Sequence, residues 1–330
     1  MKQSLLITGA SGFVGSHLVE AALAAGYDVW AGIRPSSSRQ WLQDGRIHFI
    51  TLSLGDADSL KKEIRHFADS HDGQGWNYVV HAAGATKAAN EEAFMQTNCE
   101  GTRNLAQSLA DLHLEPQRFV LMSSLSAVPM KDGLPCGTVA PTAYGRSKYQ
   151  AEQSLLAILP ASIILRPTGV YGPRERDYFL MAKSIRRHVD FAVGFKPQQI
   201  TFIYVSDLCQ ATLQALTAGV PGHIYQLSDG LTYNSRQFSL LLQQEMGVRR
   251  VLRITAPLWL LKAVCYAGQW ISALTHKSTP LNKDKYNILK QRDWQCSIAL
   301  AAKELAFRPA YQLPRGVAET VAWYKLNKWI

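Results

Sequence analysis

The sequence predicts an α/β fold class, a doubly wound parallel sheet followed by a smaller, mainly helical C-terminal lobe. Short apolar segments of strand length alternate with amphipathic segments of helix length as far as Gly172. A glycine-rich turn joins the first predicted strand to the first predicted helix. Beyond Gly172 the alternation becomes irregular, which indicates a second lobe.

The composition is that of a folded protein with an excess of positive charge. Of the 330 residues, 47% are hydrophobic and 18% are charged, which excludes a disordered chain. The formal net charge of +10 is spread along the chain without a basic tail, so we expect a small anionic ligand and no nucleic acid. The five cysteines form no CxxC pair, so we expect neither a metal site nor a disulfide framework. Because the first strand starts within a few residues of Met1, we expect no signal peptide and a cytoplasmic location.

The glycine turn carries the first functional signal. Ser4–Thr8 is apolar enough for a buried strand, and helical spacing of apolar residues begins at Val14. This order aims backbone N–H groups and a helix N-terminus at one point, which favours a pyrophosphate. Gly9 permits the tight turn, Gly12 leaves room for phosphates, and Gly15 allows close packing of helix and strand. The expected dinucleotide contacts in this turn are Gly9, Ser11, Gly12, Phe13, Val14 and Gly15.

The end of the second strand indicates which dinucleotide binds. The strand Asp28–Ile33 is followed by Arg34, and no acidic residue appears before Asp44. An acid at this point would bind the adenosine 2′-hydroxyl of NAD, whereas a guanidinium binds a 2′-phosphate. The sequence therefore favours NADP(H) and leaves NAD(H) possible; a solvent-exposed loop arginine is the alternative interpretation of Arg34.

Small residues follow the fourth predicted strand. The next elements are a strand over Ile47–Leu52, a helix over Asp56–Ala68 capped by Asp56, a strand over Tyr78–His81 and a helix over Ala93–Leu112. Ala82, Ala83 and Gly84 let the chain pass close to a flat cofactor ring or ribose. We interpret His81 as a packed histidine at a strand end and Asn98 as a buried bridge between backbone groups.

Hydroxyl groups and a lysine meet after the fifth strand. Arg118–Met122 ends at serines, including Ser124, on the edge of the sheet where parallel sheets bind ligands. In the helix that ends at Leu159, Tyr144 and Lys148 are four residues apart and therefore share one face. A tyrosine with a pKa of about 10 is a poor base at neutral pH, and a nearby ammonium favours the phenolate.

Together these segments resemble the short-chain dehydrogenase/reductase superfamily, in its extended branch of NAD(P)-dependent epimerases, dehydratases and reductases. The resemblance covers nearly the whole chain and implies a Rossmann fold. It rests on Thr8–Gly15, His81–Gly84, Asn98 with Gly101 and Thr102, Ser123–Ser124, Tyr144–Lys148, Leu165–Pro173 and Phe202–Asp207.

The resemblance implies a role for each matching residue. Tyr144 would be the general acid/base, and Lys148 would bind the nicotinamide ribose and hold the tyrosine pKa down. Ser124 would hydrogen-bond the substrate oxygen, with Ser126 as the weaker choice. Further cofactor contacts would come from Ala82, Ala83, Gly84, Pro167 and Val170, and further substrate contacts from Thr86, Ser126, Thr168 and Tyr171.

One departure from the family bears on the substrate. Sugar-nucleotide epimerases have an arginine that grips the substrate diphosphate where this chain has Ile200. Gln198 and Gln199 cannot replace that charge, although Arg174 or Arg176 could. A UDP-sugar substrate is therefore disfavoured.

The sequence predicts that the second lobe consists mainly of helices. They are expected over Asp177–His188, Asp207–Ala218, Ser235–Met246 behind a serine cap, Pro257–Leu274 and Gly316–Ile330, with a strand over Ile224–Leu227 that rejoins the sheet. The apolar segment 257–274 is interrupted by Lys262 and Gln269, so we interpret it as a packed helix and expect no stable membrane span. A monotopic membrane contact of 257–285, helped by Lys277, Lys283 and Lys285, is the alternative.

These observations predict an NAD(P)-dependent oxidoreductase that transfers hydride between nicotinamide and a carbonyl or alcohol. The Rossmann domain would comprise 1–172, with 200–227 returning to it, and the substrate lobe 173–199 and 228–330. An NAD-dependent nucleotide-sugar epimerase or dehydratase is the first alternative, although Leu125 follows Ser124 where dehydratases have an acid. A non-catalytic dinucleotide sensor is the second alternative, and a homodimer is possible.

Overall fold

Seven parallel strands form the central sheet of the protein. The computed structural model describes residues 2–275 and 283–330, except for the side chains of 269–275 and 283–285. The strands are β1 (Ser4–Thr8), β2 (Asp28–Ile33), β3 (His48–Thr51), β4 (Tyr78–His81), β5 (Arg118–Met122), β6 (Met130–Lys131), β7 (Leu134–Pro135), β8 (Ile163–Pro167), β9 (Gly169–Tyr171), β10 (Val189–Val193), β11 (Gln199–Ile200), β12 (Phe202–Tyr204), β13 (Ile224–Leu227), β14 (Tyr233–Asn234), β15 (Leu252–Ala256) and β16 (Asp293–Trp294). The helices are α1 (Phe13–Ala24), α2 (Ala57–Asp69), α3 (Glu91–Phe94), α4 (Gly101–Asp111), α5 (Ala143–Ile158), α6 (Asp177–Arg186), α7 (Val205–Thr217), α8 (Gln237–Glu245), α9 (Leu258–Thr275), α10 (Lys283–Lys290), α11 (Ala299–Glu304) and α12 (Leu313–Leu326).

The strand order of the sheet is β13-β8-β5-β4-β1-β2-β3. The chain builds outward from β1 to β3 and then crosses to the other side of β1 at β4, so the order reverses between β1 and β4. In open parallel sheets this reversal point leaves a crevice at the carboxyl ends of the strands, where ligands bind. The doubly wound parallel sheet predicted from the sequence is confirmed.

Helices cover both faces of the sheet because its strands are apolar on both sides. Leu5 and Ile7 of β1 pack on one face with side chains of α1, α7 and α11. Leu6 points to the opposite face, where side chains of α2, α4 and α5 pack. Burial on both faces explains why the strands read as continuous apolar segments in the sequence.

Helix starts were predicted less well than strands. Asp56 caps α2 as expected, since its side chain accepts a hydrogen bond from Ser59 N. The serine cap predicted for α8 is wrong: the helix starts at Gln237 with Arg236 at the cap position and no side-chain capping bond. The last helix also starts earlier than predicted, at Leu313, because a proline is tolerated in the first turn.

A separate aromatic core lies apart from the large sheet, and small sheets that the sequence did not predict accompany it. Tyr171, Phe202, Phe238 and Tyr324 are buried together there. Strand β10 pairs with β15, and the strands β14, β11 and β16 form a second small sheet. The predicted strand β13 joins the large sheet beside β8.

The apolar segment 257–274 is helical, as predicted, and forms most of α9. Its side chains are described as far as residue 268. Leu261 and Cys265 are buried, whereas Trp259 and Val264 are exposed. Of the lysines invoked for a membrane contact, Lys277 lies outside the described residues, as do the side chains of Lys283 and Lys285. Among the described residues, none of the helices combines the length and the apolar character that crossing a bilayer requires.

A buried carboxylate at the start of α7 binds the backbone of residues 310–311. Asp207, in the first turn of α7, is 1% exposed and accepts hydrogen bonds from Ala310 N (3.1 Å) and Tyr311 N (2.9 Å). These bonds hold the chain that leads into α12 against α7.

We expect Asp207→Ala to lower the free energy of unfolding by about 3 kcal/mol, because it leaves two backbone N–H groups without their charged acceptor. Asp207→Asn keeps one acceptor oxygen and should cost about half as much. The exposed control Glu319→Ala should change stability by less than about 0.5 kcal/mol. Urea unfolding at neutral pH measures all three, and equal stability of Asp207→Ala and the control would contradict this role.

Candidate active site

The glycine turn after β1 is shaped by contacts that only glycine permits. Gly9 has φ +66°, and its carbonyl oxygen accepts a hydrogen bond from Gly12 N (2.9 Å). A Cβ atom at Gly15 would lie 2.1 Å from Gly9 O, so helix α1 could not approach the turn with any other residue there. No side chain caps α1 at Gly12, which leaves its N-terminus facing the crevice for an anion.

The stretch after β4 closes the other side of the crevice. A Cβ atom at Gly9 would lie 2.7 Å from Ala83 Cα, so the two backbones touch. Thr8 Oγ1 and His81 Nδ1 are 2.7 Å apart, and Ala83 N donates to Thr8 Oγ1 (3.2 Å). Burial lowers the pKa of His81 to about 3, so the imidazole is neutral at physiological pH. The prediction that His81 is a packed histidine is confirmed.

Asn98 braces the same stretch from a π-helical turn over Met95–Glu100, which interrupts the helix between α3 and α4. Asn98 Oδ1 accepts from Ala85 N (2.7 Å), and Nδ2 donates to Ser147 Oγ (2.9 Å) on α5. A Cβ atom at Gly84 would lie 2.9 Å from Asn98 Oδ1 and 3.0 Å from Lys148 Nζ. Asn98 therefore bridges backbone groups, as predicted, and its bond to Ser147 also joins the 82–85 stretch to α5.

Ser124, Tyr144 and Lys148 meet at the carboxyl end of β5. The side chains of Ser124 and Tyr144 are hydrogen-bonded, and this bond partly offsets the rise in the pKa of Tyr144 that burial causes. Lys148 Nζ donates to Met122 O (2.9 Å). Loss of hydration is the larger effect on this pKa, and its lowering by Lys148 stays a prediction.

The sequence reasoning missed the buried group beside Lys148. Glu152, one turn further along α5, is fully buried and accepts hydrogen bonds from Ser123 Oγ, Arg166 Nε (2.9 Å) and Arg166 Nη2. Burial lowers the pKa of Lys148 to about 8, and the negative charge of Glu152 limits this decrease. The four-residue spacing of Lys148 and Glu152, which places both on one face of the helix, could have predicted that they lie together.

The crevice runs across the sheet in two connected parts of about 950 and 620 Å³ that share the glycine turn. Arg34 lies in the larger part, and its backbone N donates to Ser37 Oγ (3.1 Å). The same part is also lined by Leu52, Ser53 and Leu54, which follow β3. These three residues were not predicted from the sequence, although other site residues were located because they follow a strand.

The smaller part brings together most of the predicted site residues. It is lined by Phe13, Val14, Gly15, Ala82, Gly84, Thr86, Ser124, Tyr144, Lys148, Pro167, Thr168 and Val170, with Ser11 and Gly12 in both parts and Ala83 in the larger one. The hydroxyl of Thr168 donates to Thr201 O (2.7 Å), so it is already engaged within the protein.

Two predicted substrate contacts lie elsewhere. Tyr171 is fully buried in the aromatic core of the second lobe, in edge contact with Phe202, Tyr204 and Phe238, because β9 turns its side chain away from the crevice. Ser126 is not among the residues that line the crevice, and its backbone N donates to Ser124 Oγ (3.1 Å). The expectation for Tyr171 is corrected, and a substrate contact through the Ser126 hydroxyl stays a prediction.

The arginines considered for a diphosphate differ in how they are held. Arg174 donates to Glu20 (2.6 Å) and Ser16 (3.1 Å), and its guanidinium stacks over Trp41 at 4.7 Å. Arg176 lines the crevice, is exposed and makes no ion pair with a described residue. The amide of Gln198 is engaged with Leu289 O and Gln291 O.

The crevice fits a dinucleotide and shows no metal centre. At Gly9 and Gly12, in the middle of the crevice, there are backbone N–H groups and no side chains. The two parts of the crevice extend from this turn and leave room for the two halves of a dinucleotide. In the described part of the chain, His, Cys, Asp and Glu side chains form no group of three or more that could hold a metal ion.

Comparisons with known proteins agree with a crevice that binds a dinucleotide. The family model of the NAD dependent epimerase/dehydratase family matches residues 5–228. A ceramide reductase of Caulobacter vibrioides is 26% identical over 329 residues, covering 98% of this chain and 95% of that protein. A UDP-N-acetyl-alpha-D-glucosaminuronate decarboxylase of Bacillus cytotoxicus is 25% identical and covers 98% of both chains. A UDP-glucose 4-epimerase structure from Thermotoga maritima has a TM-score of 0.77 at 20% identity, covering 99% of this chain and 100% of that one.

We expect the Lys148 amine to titrate at about pH 8, below the ordinary lysine pKa of about 10.4, because its burial disfavours the charged form. Trace acetylation of the native protein across pH, with mass spectrometry of the Lys148 peptide, measures this titration. The same peptide from urea-unfolded protein is the control and should titrate in the ordinary range. Identical titration in the native and unfolded protein would contradict the assignment.

Proposed function

The chain belongs to the NAD dependent epimerase/dehydratase family, and we propose that within it the protein is an NADPH-dependent reductase of a ketone or aldehyde that carries no nucleotide. The hydrogen-bonded pair of Ser124 and Tyr144, beside Lys148 at the end of the crevice, is the observation that carries this proposal. A carbonyl oxygen placed there meets two hydroxyl groups at once.

The residues that would hold the dinucleotide are distributed along the crevice. The glycine turn and the N-terminus of α1 would bind the pyrophosphate, and Lys148 the nicotinamide ribose. Arg34, at the other end, would bind the 2′-phosphate that distinguishes NADPH from NADH. When bound, the nicotinamide supplies or accepts the hydride.

The chain's own residues handle the proton. Ser124 Oγ donates a hydrogen bond to the carbonyl oxygen and polarises it. Tyr144 gives its hydroxyl proton to the same oxygen as negative charge develops there, which leaves a phenolate. Lys148, one turn along α5 and charged below about pH 8, stabilises that phenolate. In the reverse direction Tyr144 acts as the base.

The residues considered for binding a substrate diphosphate support a reductase over a sugar-nucleotide enzyme. Ile200 provides no charge for a diphosphate, and the amide of Gln198 is already hydrogen-bonded to backbone carbonyls. Arg174 is held by Glu20 and Trp41. The similar ceramide reductase is named for a substrate without a nucleotide, in agreement with this proposal.

A nucleotide-sugar epimerase or decarboxylase is the second candidate, favoured by one observation. Arg176 is exposed in the crevice, without an ion-pair partner among the described residues, and could bind a phosphate. The similar Bacillus cytotoxicus protein is named for a UDP-sugar. Conversion of a UDP-sugar with no net oxidation of added NADPH would favour this candidate.

We expect Tyr144→Phe to lower kcat by about 10²- to 10⁴-fold, because it removes the hydroxyl proton from the reaction. Ser124→Ala should lower kcat by about 10²- to 10³-fold through loss of the hydrogen bond to the carbonyl oxygen. NADPH oxidation, followed with a panel of aromatic and long-chain aldehydes and ketones, measures both.

Ser126→Ala is the matched control for the serine, since its hydroxyl is not assigned a role in the reaction, and it should retain most of the activity. Unchanged turnover in Tyr144→Phe would overturn the acid/base assignment. A protein that binds NADPH and turns over none of the panel or UDP-sugars would support a dinucleotide sensor instead.

We expect Arg34→Ala to weaken NADPH binding by about tenfold to a hundredfold and to leave NADH binding nearly unchanged, because the side chain would contact only the 2′-phosphate. Arg39→Ala is the control: that guanidinium stacks on Phe49 at 4.2 Å. Quenching of tryptophan fluorescence gives the dissociation constants. Tighter binding of NADH than NADPH by the unmodified protein would contradict the preference.

A further inference from the structure

The paired strands β10 and β15 turn an apolar face to solvent. Phe191 lies opposite Ile254 in the parallel register, so their side chains share a face with Leu252. Phe191 is 63% exposed and Leu252 is 64% exposed. On the other face of the pair, the buried Asp190 carboxylate accepts hydrogen bonds from Ser239 and Arg236 of the α8 region.

The start of α9 continues this exposed apolar surface. Gly194 N donates to Ala256 O (2.8 Å), which places Phe195 at the same end of the strand pair as Pro257 and the first turn of α9. Phe195 is 78% exposed and Trp259 is 71% exposed, while Leu261 points inward. We call the exposed apolar side chains of this region the β10–α9 surface; they are Phe191, Phe195, Leu252, Ile254, Trp259, Leu260, Val264 and Tyr266.

The charges around the β10–α9 surface are almost all positive. Residues 186–196 and 249–262 contain seven lysines and arginines and one acid, Asp190, whose carboxylate is bonded inside the lobe. Arg186, Arg187, Arg249 and Arg250 are exposed at one end of the strand pair. Lys196 and Lys262 are exposed at the other end. The apolar side chains are therefore bracketed by cations.

We propose that the β10–α9 surface docks on a membrane surface rich in anionic lipid. Aromatic and aliphatic side chains insert at the boundary between headgroups and acyl chains, and flanking cations are attracted to anionic headgroups. A second copy of the chain is disfavoured because the two cationic rims would repel each other. A nucleic acid would leave Leu252, Ile254 and Val264 without apolar partners, since such interfaces are polar.

Docking would bring the catalytic crevice near the bilayer. Helix α6 starts at Asp177, which lines the crevice, and ends at Arg186 on the rim of the β10–α9 surface. A helix of this length spans about 15 Å, so the two regions are separated by a short rigid element. The proposal goes beyond the reductase function and does not require it, because docking can be measured without turnover.

Sedimentation of the full chain with vesicles tests the proposal. We expect binding to phosphatidylcholine vesicles that contain phosphatidylglycerol, little binding to phosphatidylcholine alone, and weaker binding at high salt. Arg249→Glu with Arg250→Glu should weaken binding by at least about tenfold. Phe195→Ser with Trp259→Ser should also weaken it, because the inserted side chains are lost.

Matched controls carry the same changes elsewhere. Lys62→Glu with Arg65→Glu on α2 repeats the charge change, and Val139→Ser with Leu326→Ser repeats the loss of exposed apolar side chains. Both controls should bind as the unmodified protein does, and thermal unfolding should show that all variants are folded. Light scattering measures whether the protein is a monomer or a dimer in solution. Competition with duplex DNA measures whether nucleic acid binds in place of the vesicles.

Absence of binding to the phosphatidylglycerol vesicles would overturn the proposal. Equal binding by all variants and controls would also overturn it. A dimer in solution that Phe195→Ser with Trp259→Ser converts to a monomer would assign the surface to self-association. Binding of duplex DNA with no binding of vesicles would assign it to nucleic acid. None of these outcomes depends on whether the protein reduces a carbonyl.

Discussion

The fully buried carboxylate of Glu152 connects three elements at the catalytic end of the sheet. It belongs to α5 and receives hydrogen bonds from Arg166 of β8 and from Ser123, directly after β5. Burying a carboxylate and a guanidinium is costly, and the pair is tolerated because each satisfies the other. The bonds fix the rotation of α5, which sets where Tyr144 and Lys148 lie. The charge of Glu152 also offsets part of the effect that burial has on the Lys148 pKa.

The first domain was predictable because its signals are local. Strands buried on both faces are short apolar runs bounded by turns, so β2, β4, β5 and β13 were located with their bounds. The glycine turn is similarly local: Gly9 has a positive φ, and Gly15 is needed for a contact with Gly9 within one strand-turn-helix unit. The resemblance of these segments to extended short-chain dehydrogenases and reductases is confirmed by the family match.

The remaining features depend on contacts between residues far apart in the chain. The pairing of β10 with β15 joins segments about sixty residues apart, and neither strand has a distinctive pattern. The family resemblance implied a substrate contact for Tyr171, but β9 pairs with β12 and this side chain lies in an aromatic core. The hydrogen bonds of Glu152 and the π-helical turn that carries Asn98 also depend on distant partners, which sequence patterns do not report.

The order in which the strands enter the sheet affects how the nascent chain folds. Strand β8 ends at Pro167, but its outer neighbour β13 starts only at Ile224, after residues 173–199 of the second lobe have been synthesised. Until then the backbone of β8 is an open edge, which can pair with other chains. The sheet therefore cannot close before the segment between β8 and β13 has been made. Because Ile164 and its partner Ile224 are distant in sequence, we expect this pairing to form later than the contacts within each strand-helix unit.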